Sequence, residues 1–157
     1  MPFVRPTLLL ALCLPLTPAL ARDSLKAFQP VLGKCYAGDV GSGARDTHCF
    51  TAMYGGKHVR DTHRIVMQGR VIYRGETVYS IEGGDITFHY VNSLGGIGRG
   101  TAQAVPKGLS FGGSMRSDPG AAEQSMDNDW RWRPDGYEVA DGRGKPVIYR
   151  RVANPAD

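Results

Sequence analysis

The sequence lacks the short motifs that identify many enzyme classes. Its three cysteines include no Cys-x-x-Cys pair, the spacing typical of zinc sites and thiol redox centres. No serine lies in the Gly-x-Ser-x-Gly pattern of a hydrolase nucleophile. The glycine-rich stretch 94–100 lacks the lysine and the hydroxyl residue of a phosphate-binding loop. The sequence therefore assigns no catalytic residue, no metal ligand and no cofactor, and it favours a protein that is not an enzyme.

Helical periodicity is almost absent beyond residue 21. Residues 23–32 are the only segment expected to form a helix, which Asp23 or Ser24 can cap and Pro30 ends. Because no longer helix is present to cross over between parallel strands, the sheet is expected to be antiparallel. Three apolar residues share one face of the short helix and are expected to plug a core: Leu25, Phe28 and Leu32.

A concentrated basic stripe is also absent. The chain has a net charge of +4, but its arginines and lysines are scattered along the sequence. Nucleic-acid-binding domains carry such a stripe for contact with phosphates, so we expect no nucleic-acid partner. The scattered charge is typical of a solvated exterior.

The first 21 residues have the features of a signal peptide. Arg5 gives a positive start, residues 7–16 form an apolar run too short to span a bilayer, and Ala21 ends an Ala-x-Ala cleavage site. Cys13 lies inside the apolar run, which argues against a lipid anchor. The sequence thus predicts a periplasmic or secreted protein cleaved after Ala21, with no transmembrane segment in the mature chain.

Two cysteines follow the predicted cleavage site, and an exported chain with two cysteines favours one disulfide. If residues 41–43 form a tight loop, Cys35 and Cys49 lie directly opposite each other on neighbouring strands. A Cys35–Cys49 disulfide is therefore predicted.

The rest of the chain alternates short strand-forming segments with glycine turns. So many strands in one domain close most simply into a barrel, which removes the exposed edges. We expect one all-β domain over residues 22–157, an antiparallel up-and-down meander closed into a barrel of about 8–10 strands. The predicted strands are 34–40, 45–54, 57–68, 71–82, 85–93, 101–105, 109–116, 130–133, 137–140 and 147–152, with a polar loop at 117–127.

The hairpin at residues 46–67 holds three of the four histidines. If Gly55 and Gly56 form its turn, His48 lies opposite His63, and Asp61 points to the same face. Faces alternate along a strand. The inward face is expected to hold His48, Phe50, Ala52, Tyr54, Val59, Asp61, His63, Ile65 and Met67.

A later hairpin, with its turn at Gly83 and Gly84, is expected to face its aromatic residues inward. Of the neighbouring tryptophans Trp130 and Trp132, one is expected to point in and the other out. A barrel of this size can hold one small ligand. The predicted ligand-binding residues are His48, His63, Asp61, Phe50, Tyr79, Phe88, Tyr90 and Asn92.

Several segments resemble the calycins, the barrel group of lipocalin-like and fatty-acid-binding-like proteins, and more narrowly small exported bacterial domains of that shape. The resemblance lies in the short helix ending at residues 30–33, the first strand Gly33-Lys34-Cys35-Tyr36-Ala37-Gly38, the meander, and the last strand at 147–151. Cys35 stands where lipocalin-like first strands carry tryptophan. The resemblance implies binding of small, often apolar molecules inside the barrel.

Three functions remain open at this point. The first is an exported barrel that binds a small, partly apolar or amphipathic ligand in its lumen without changing it. The second is an envelope interaction or structural module whose barrel is filled by side chains. The third is an enzyme, or a metal or haem site, that uses His48, His63 and Asp61. The sequence does not fix the ligand or the oligomeric state.

Overall fold

The computed structural model describes residues 24–154 of the chain. The predicted signal peptide and its cleavage site at Ala21 lie outside the described residues. Within residues 24–154, none of the helices has the length and apolar character needed to cross a membrane.

Ten strands make up most of the described chain. They are β1 (Cys35–Gly41), β2 (Ala44–Met53), β3 (His58–Met67), β4 (Arg70–Glu82), β5 (Asp85–Asn92), β6 (Ile97–Val105), β7 (Gly108–Arg116), β8 (Gln124–Arg133), β9 (Gly136–Ala140) and β10 (Val147–Val152). Short 3-10 helices occupy Leu25–Phe28 and Tyr54–Gly56.

The strands form one closed antiparallel barrel in which each strand pairs with its neighbours in sequence and β10 closes on β1. The predicted fold class, an up-and-down meander closed into a barrel, is confirmed. Closure pairs the backbone hydrogen-bonding groups of both terminal strands, so the sheet has no free edge. The architecture is consistent with a calycin-like fold.

The N-terminal 3-10 helix closes one end of the barrel. Ser24 caps it by accepting a hydrogen bond from the Lys26 backbone N–H at 3.3 Å. Phe28 and Val31 are fully buried, and the Phe28 ring lies 4.5 Å from that of Tyr79. The helix contacts β3 and β4 and lies near Gly56, Lys57 and Ile81. The cavity described below lies toward the opposite end of the barrel.

The predicted hairpin registers are confirmed. Cys35 pairs with Cys49, and a disulfide joins them. His48 pairs with His63 across β2 and β3, and the pairing between β4 and β5 also matches the expectation. At the tip of the β2–β3 hairpin, the pairing stops at Met53 because residues 54–56 form a 3-10 turn. The predicted inward position of Tyr54 was therefore wrong: it lies in this turn and is 75% exposed.

Two predicted strand boundaries were wrong. β6 begins at Ile97 rather than at residue 101, because its glycines let neighbouring groups approach closely. A Cβ on Gly100 would lie 2.2 Å from the Gly112 carbonyl oxygen and 2.7 Å from the Phe88 ring. β8 begins at Gln124, inside the predicted loop 117–127, because pairing with β7 extends this polar segment.

The prediction for the two tryptophans was also wrong. Trp130 and Trp132 are separated by one residue within β8, so both point to the inner face. Trp130 is buried, and Trp132 packs against the core with its ring 6.3 Å from that of Trp130. Together they fill part of the barrel interior.

Candidate ligand-binding site

A cavity of about 600 Å³ lies inside the barrel, toward the end away from the N-terminal helix. Its lining combines aromatic and aliphatic side chains with a compact polar cluster, a pattern typical of small-molecule sites. The apolar part of the lining is Ile65, Tyr73, Tyr79, Phe88, Tyr90, Phe111, Met115, Met126, Trp130, Val139 and Tyr149. The polar part is Asp46, His48, Asp61, His63, Thr77, Asn128 and Asp141.

The polar cluster is centred on His48, which lies between two buried carboxylates. Its Nδ1 atom is 2.8 Å from Asp61 Oδ2 and 3.0 Å from Asp61 Oδ1. Its Nε2 atom is 3.0 Å from Asp46 Oδ2. Asp46 and Asp61 are only 5% and 2% exposed, so water does little to solvate either carboxylate. The two aspartates thus hold the imidazole ring from both sides.

His63 completes the cluster from the neighbouring strand. Its Nδ1 atom lies 3.3 Å from Asp46 Oδ1, and its ring stacks on that of His48 at 4.7 Å with an interplanar angle of 21°. Behind it, β4 presents Gly75, where an added Cβ would lie 2.1 Å from His63 Nε2. The absence of a side chain at Gly75 therefore leaves room for the His63 ring.

The geometry fixes the charge on His48. Both ring nitrogens can donate only in the imidazolium form, and both face carboxylate oxygens. Burial is the largest influence and by itself lowers the pKa of His48, but the charge of Asp61 and the hydrogen bonds to both aspartates outweigh it and raise that pKa to about 10. The raised pKa keeps His48 in its charged form near neutral pH.

Asp46 accepts three hydrogen bonds. Besides the two histidines, the Tyr149 hydroxyl donates to its Oδ2 at 3.1 Å. Burial, the largest influence, raises the pKa of Asp46, but the hydrogen bonds from His48 and then His63 outweigh it, and the pKa falls well below its ordinary value. Burial and then the charge of Asp46 raise the pKa of Tyr149 above its ordinary range, so this tyrosine stays a donor.

A pair of tyrosines lies beside the cluster. The hydroxyls of Tyr73 and Tyr90 hydrogen-bond to each other, and both rings contact His63 at centroid distances of 5.5 and 5.8 Å. Burial, followed by the hydrogen bond with Tyr73, raises the pKa of Tyr90. The cavity therefore presents neutral hydroxyls next to the charged cluster.

The structure brings together most of the predicted ligand-binding residues. His48, Asp61, His63, Tyr79, Phe88 and Tyr90 all line the cavity.

Two predicted residues lie elsewhere. Phe50 is buried below the cavity and packs on Tyr36, Trp130 and Tyr137. Asn92 organises the turn after β5: its Oδ1 accepts from the backbone N–H groups of Leu94 and Gly96. Neither is part of the cavity lining.

Asp46 and its hydrogen-bond donor Tyr149 were missing from the predicted set, as were the polar lining residues Thr77, Asn128 and Asp141. Asp46 lies two positions before His48 on β2, so strand alternation places it on the same face, and this signal was present in the sequence. Tyr149 reaches Asp46 only because β10 closes on β1. No local pattern in the sequence reveals that contact.

No protein-family model matches the chain, and a search of curated proteins finds no significant relative. The chemistry of the cavity is therefore the basis on which a function is assigned.

Proposed function

We propose that the protein is an exported barrel that binds a small, partly apolar ligand in its lumen without changing it. The cavity of about 600 Å³, which lies within the range of small-molecule sites, carries this proposal. A barrel that was filled by side chains would have no comparable space on its inner face.

The lining indicates an amphipathic ligand. Phe88, Phe111 and Trp130 supply apolar surface for the body of a ligand. The cluster around Asp46 and Asp61 supplies carboxylate hydrogen-bond acceptors at one place in the cavity. We therefore expect a ligand whose apolar part packs on the aromatic side chains and whose hydrogen-bond donor or cationic group meets the cluster.

The proposed compartment is the periplasm or the exterior of the cell. The amino-terminal pattern of residues 1–21 supports it. The disulfide between Cys35 and Cys49 supports it independently, since structural disulfides form and persist in oxidising compartments.

The interaction module and the enzyme receive less support. A general base needs a free ring nitrogen, and both nitrogens of His48 are held by carboxylates at 2.8 and 3.0 Å. No serine or cysteine nucleophile lies in the cavity lining, since the two described cysteines are joined in the disulfide. An interaction module would leave the cavity without a role.

A titration with an environment-sensitive amphipathic fluorophore tests the proposal. We expect saturable one-to-one binding to metal-free protein. Met115 lines the cavity, so Met115→Trp fills part of it and should abolish binding without loss of fold. The matched control is Val105→Trp on β6, where the side chain is 40% exposed and outside the cavity, and it should bind as the parent does.

Two outcomes contradict the proposal. The first is the absence of saturable binding to folded parent protein across a panel of cationic and neutral amphiphiles. The second is equal loss of binding in the Met115→Trp and Val105→Trp variants, which would place the fluorophore on the outer surface.

A further inference from the structure

We propose that Asp46, His48 and His63 form a binding site for a divalent transition-metal ion, with Asp61 as the residue that positions His48. This inference does not depend on the binding of an organic ligand. It rests on the geometry of four inward-facing side chains of β2 and β3.

The three ligand residues converge on one point. One donor atom from each of Asp46, His48 and His63 lies within 4.8 Å of the other two. Tetrahedral zinc bonds of about 2.0–2.2 Å separate ligand atoms by roughly 3.3 Å. The Asp46 carboxylate contacts both imidazoles: its Oδ2 lies 3.0 Å from His48 Nε2, and its Oδ1 lies 3.3 Å from His63 Nδ1. One nitrogen of each histidine and a single Asp46 oxygen lie within 4.8 Å of one another, so metal binding needs a closure of up to about 1.5 Å.

Asp61 provides the second observation. Histidines that bind metals donate their other ring N–H to a carboxylate or carbonyl, which fixes the tautomer and the ring orientation. His48 does this through Nδ1, which faces both oxygens of Asp61 at 2.8 and 3.0 Å. Asp61 is 2% exposed, and no lysine or arginine lies beside it in the polar lining, so its carboxylate is directed at His48. His48 Nε2 is thereby directed at Asp46 and the cavity.

The donor atoms of the cluster also indicate the kind of ion. Two nitrogens and one carboxylate oxygen favour zinc, iron, cobalt or nickel over magnesium and calcium, which prefer oxygen ligands.

The site opens toward the cavity. His48, His63 and Asp46 all line the cavity, so an ion held by them has its remaining coordination position on the cavity side. Three protein ligands with one open position are typical of zinc sites that bind a further molecule. Tyr149, whose hydroxyl donates to Asp46 Oδ2, keeps the carboxylate in place.

Calorimetric titration of untagged, chelator-treated protein with Zn²⁺ tests the site, with Co²⁺ as a spectroscopic probe. We expect one-to-one binding and, with Co²⁺, the visible absorption bands of a four- or five-coordinate ion. The titration contains no organic ligand, so its failure leaves the fluorophore result untouched, and the reverse also holds.

Variants identify the ligands. His63→Gln should lose tight binding and alter the Co²⁺ spectrum, because one nitrogen ligand is removed. Asp61→Asn should weaken binding about 10- to 100-fold, yet keep the Co²⁺ spectrum, because the same three ligands remain. The control is His89→Gln, since His89 is exposed on β5 and outside the cavity, and it should bind as the parent does.

A measurement on the parent protein covers the case in which a variant fails to fold. Imidazole nitrogen NMR should show Zn²⁺-dependent shifts at His48 Nε2 and His63, while the Nδ1–H proton of His48 persists.

Three results overturn the proposal. They are no stoichiometric Zn²⁺ binding, nitrogen shifts confined to His58 and His89, or equal affinity of the parent and a folded His63→Gln variant.

Discussion

His48 Nδ1 lies 2.8 Å from Oδ2 of Asp61, a carboxylate that is almost completely buried. The two residues belong to neighbouring strands and are not directly paired: His48 faces His63, and Asp61 faces Phe50. Their contact is diagonal across the inner face of the barrel. It links the stability of the barrel to the chemistry of its cavity, because the same interaction orients the imidazole and neutralises a buried charge.

Replacing Asp61 should therefore destabilise the protein. Asp61→Ala leaves the His48 imidazolium with one carboxylate instead of two, and removal of one partner from a buried ion pair costs about 3–5 kcal/mol. We expect the free energy of unfolding in urea, measured on metal-free protein at pH 6, to fall by that amount. Asp85→Ala, at an exposed position on β5, should stay within about 0.5 kcal/mol of the parent. A loss for Asp61→Ala as small as that of the control would contradict the role of the pair.

The cluster also predicts how stability depends on pH in the metal-free protein. Burial alone would lower the pKa of His48 in the folded protein. Asp61 and Asp46 outweigh this effect by favouring the charged imidazole, and folding raises the pKa from its ordinary value of 6.5 to about 10. The contribution of His48 to the free energy of unfolding is complete below pH 6.5 and is lost as the pH rises through about 10. Folding lowers the pKa of Asp46 from 3.8. The contribution of Asp46 to the free energy of unfolding is therefore present above pH 3.8 and is lost in acid.

The free energy of unfolding should thus be highest between about pH 4 and 6.5 and fall toward pH 10. Urea titrations across this range measure it. His48→Gln should flatten the alkaline limb, whereas His89→Gln should leave it unchanged. A profile that rises from pH 6.5 to 10 in the parent would show that His48 is not the charged centre of the cluster.

The disulfide between Cys35 and Cys49 should stabilise the barrel where β1 meets β2. The two cysteines are 14 residues apart in sequence, and a loop of this size is worth about 3 kcal/mol in the chain-entropy model. We expect reductant to lower the free energy of unfolding by about that amount. The double variant Cys35→Ser with Cys49→Ser should match the reduced parent and not respond to reductant. Unchanged stability after complete reduction, shown by thiol titration, would be inconsistent with this role.

The sequence alone predicted the parts of the site that depend on local hairpin geometry. Gly55 and Gly56 mark a turn, and strand alternation from that turn placed His48, Asp61 and His63 on one inner face. The same reasoning paired Cys35 with Cys49. These predictions succeeded because register within a hairpin is set by residues close together in the chain.

Features that depend on contacts between distant parts of the chain were not predictable in this way. Tyr149 meets Asp46 from 103 residues away, since β10 closes the barrel beside β1. The strand at Ile97–Val105 has glycines that disfavour strands locally, and it forms because Gly100 packs against Gly112 and Phe88. The size of the cavity likewise depends on how all ten strands close.

The most direct test of lumenal binding is native mass spectrometry of the parent protein after incubation with a bacterial lipid extract, with the Met115→Trp variant treated in parallel. We predict an added mass of one small molecule on the parent under native conditions, lost on denaturation and absent from the variant. A parent that shows only the mass of its own chain, or a variant that retains the same added mass, would contradict a ligand site in the barrel.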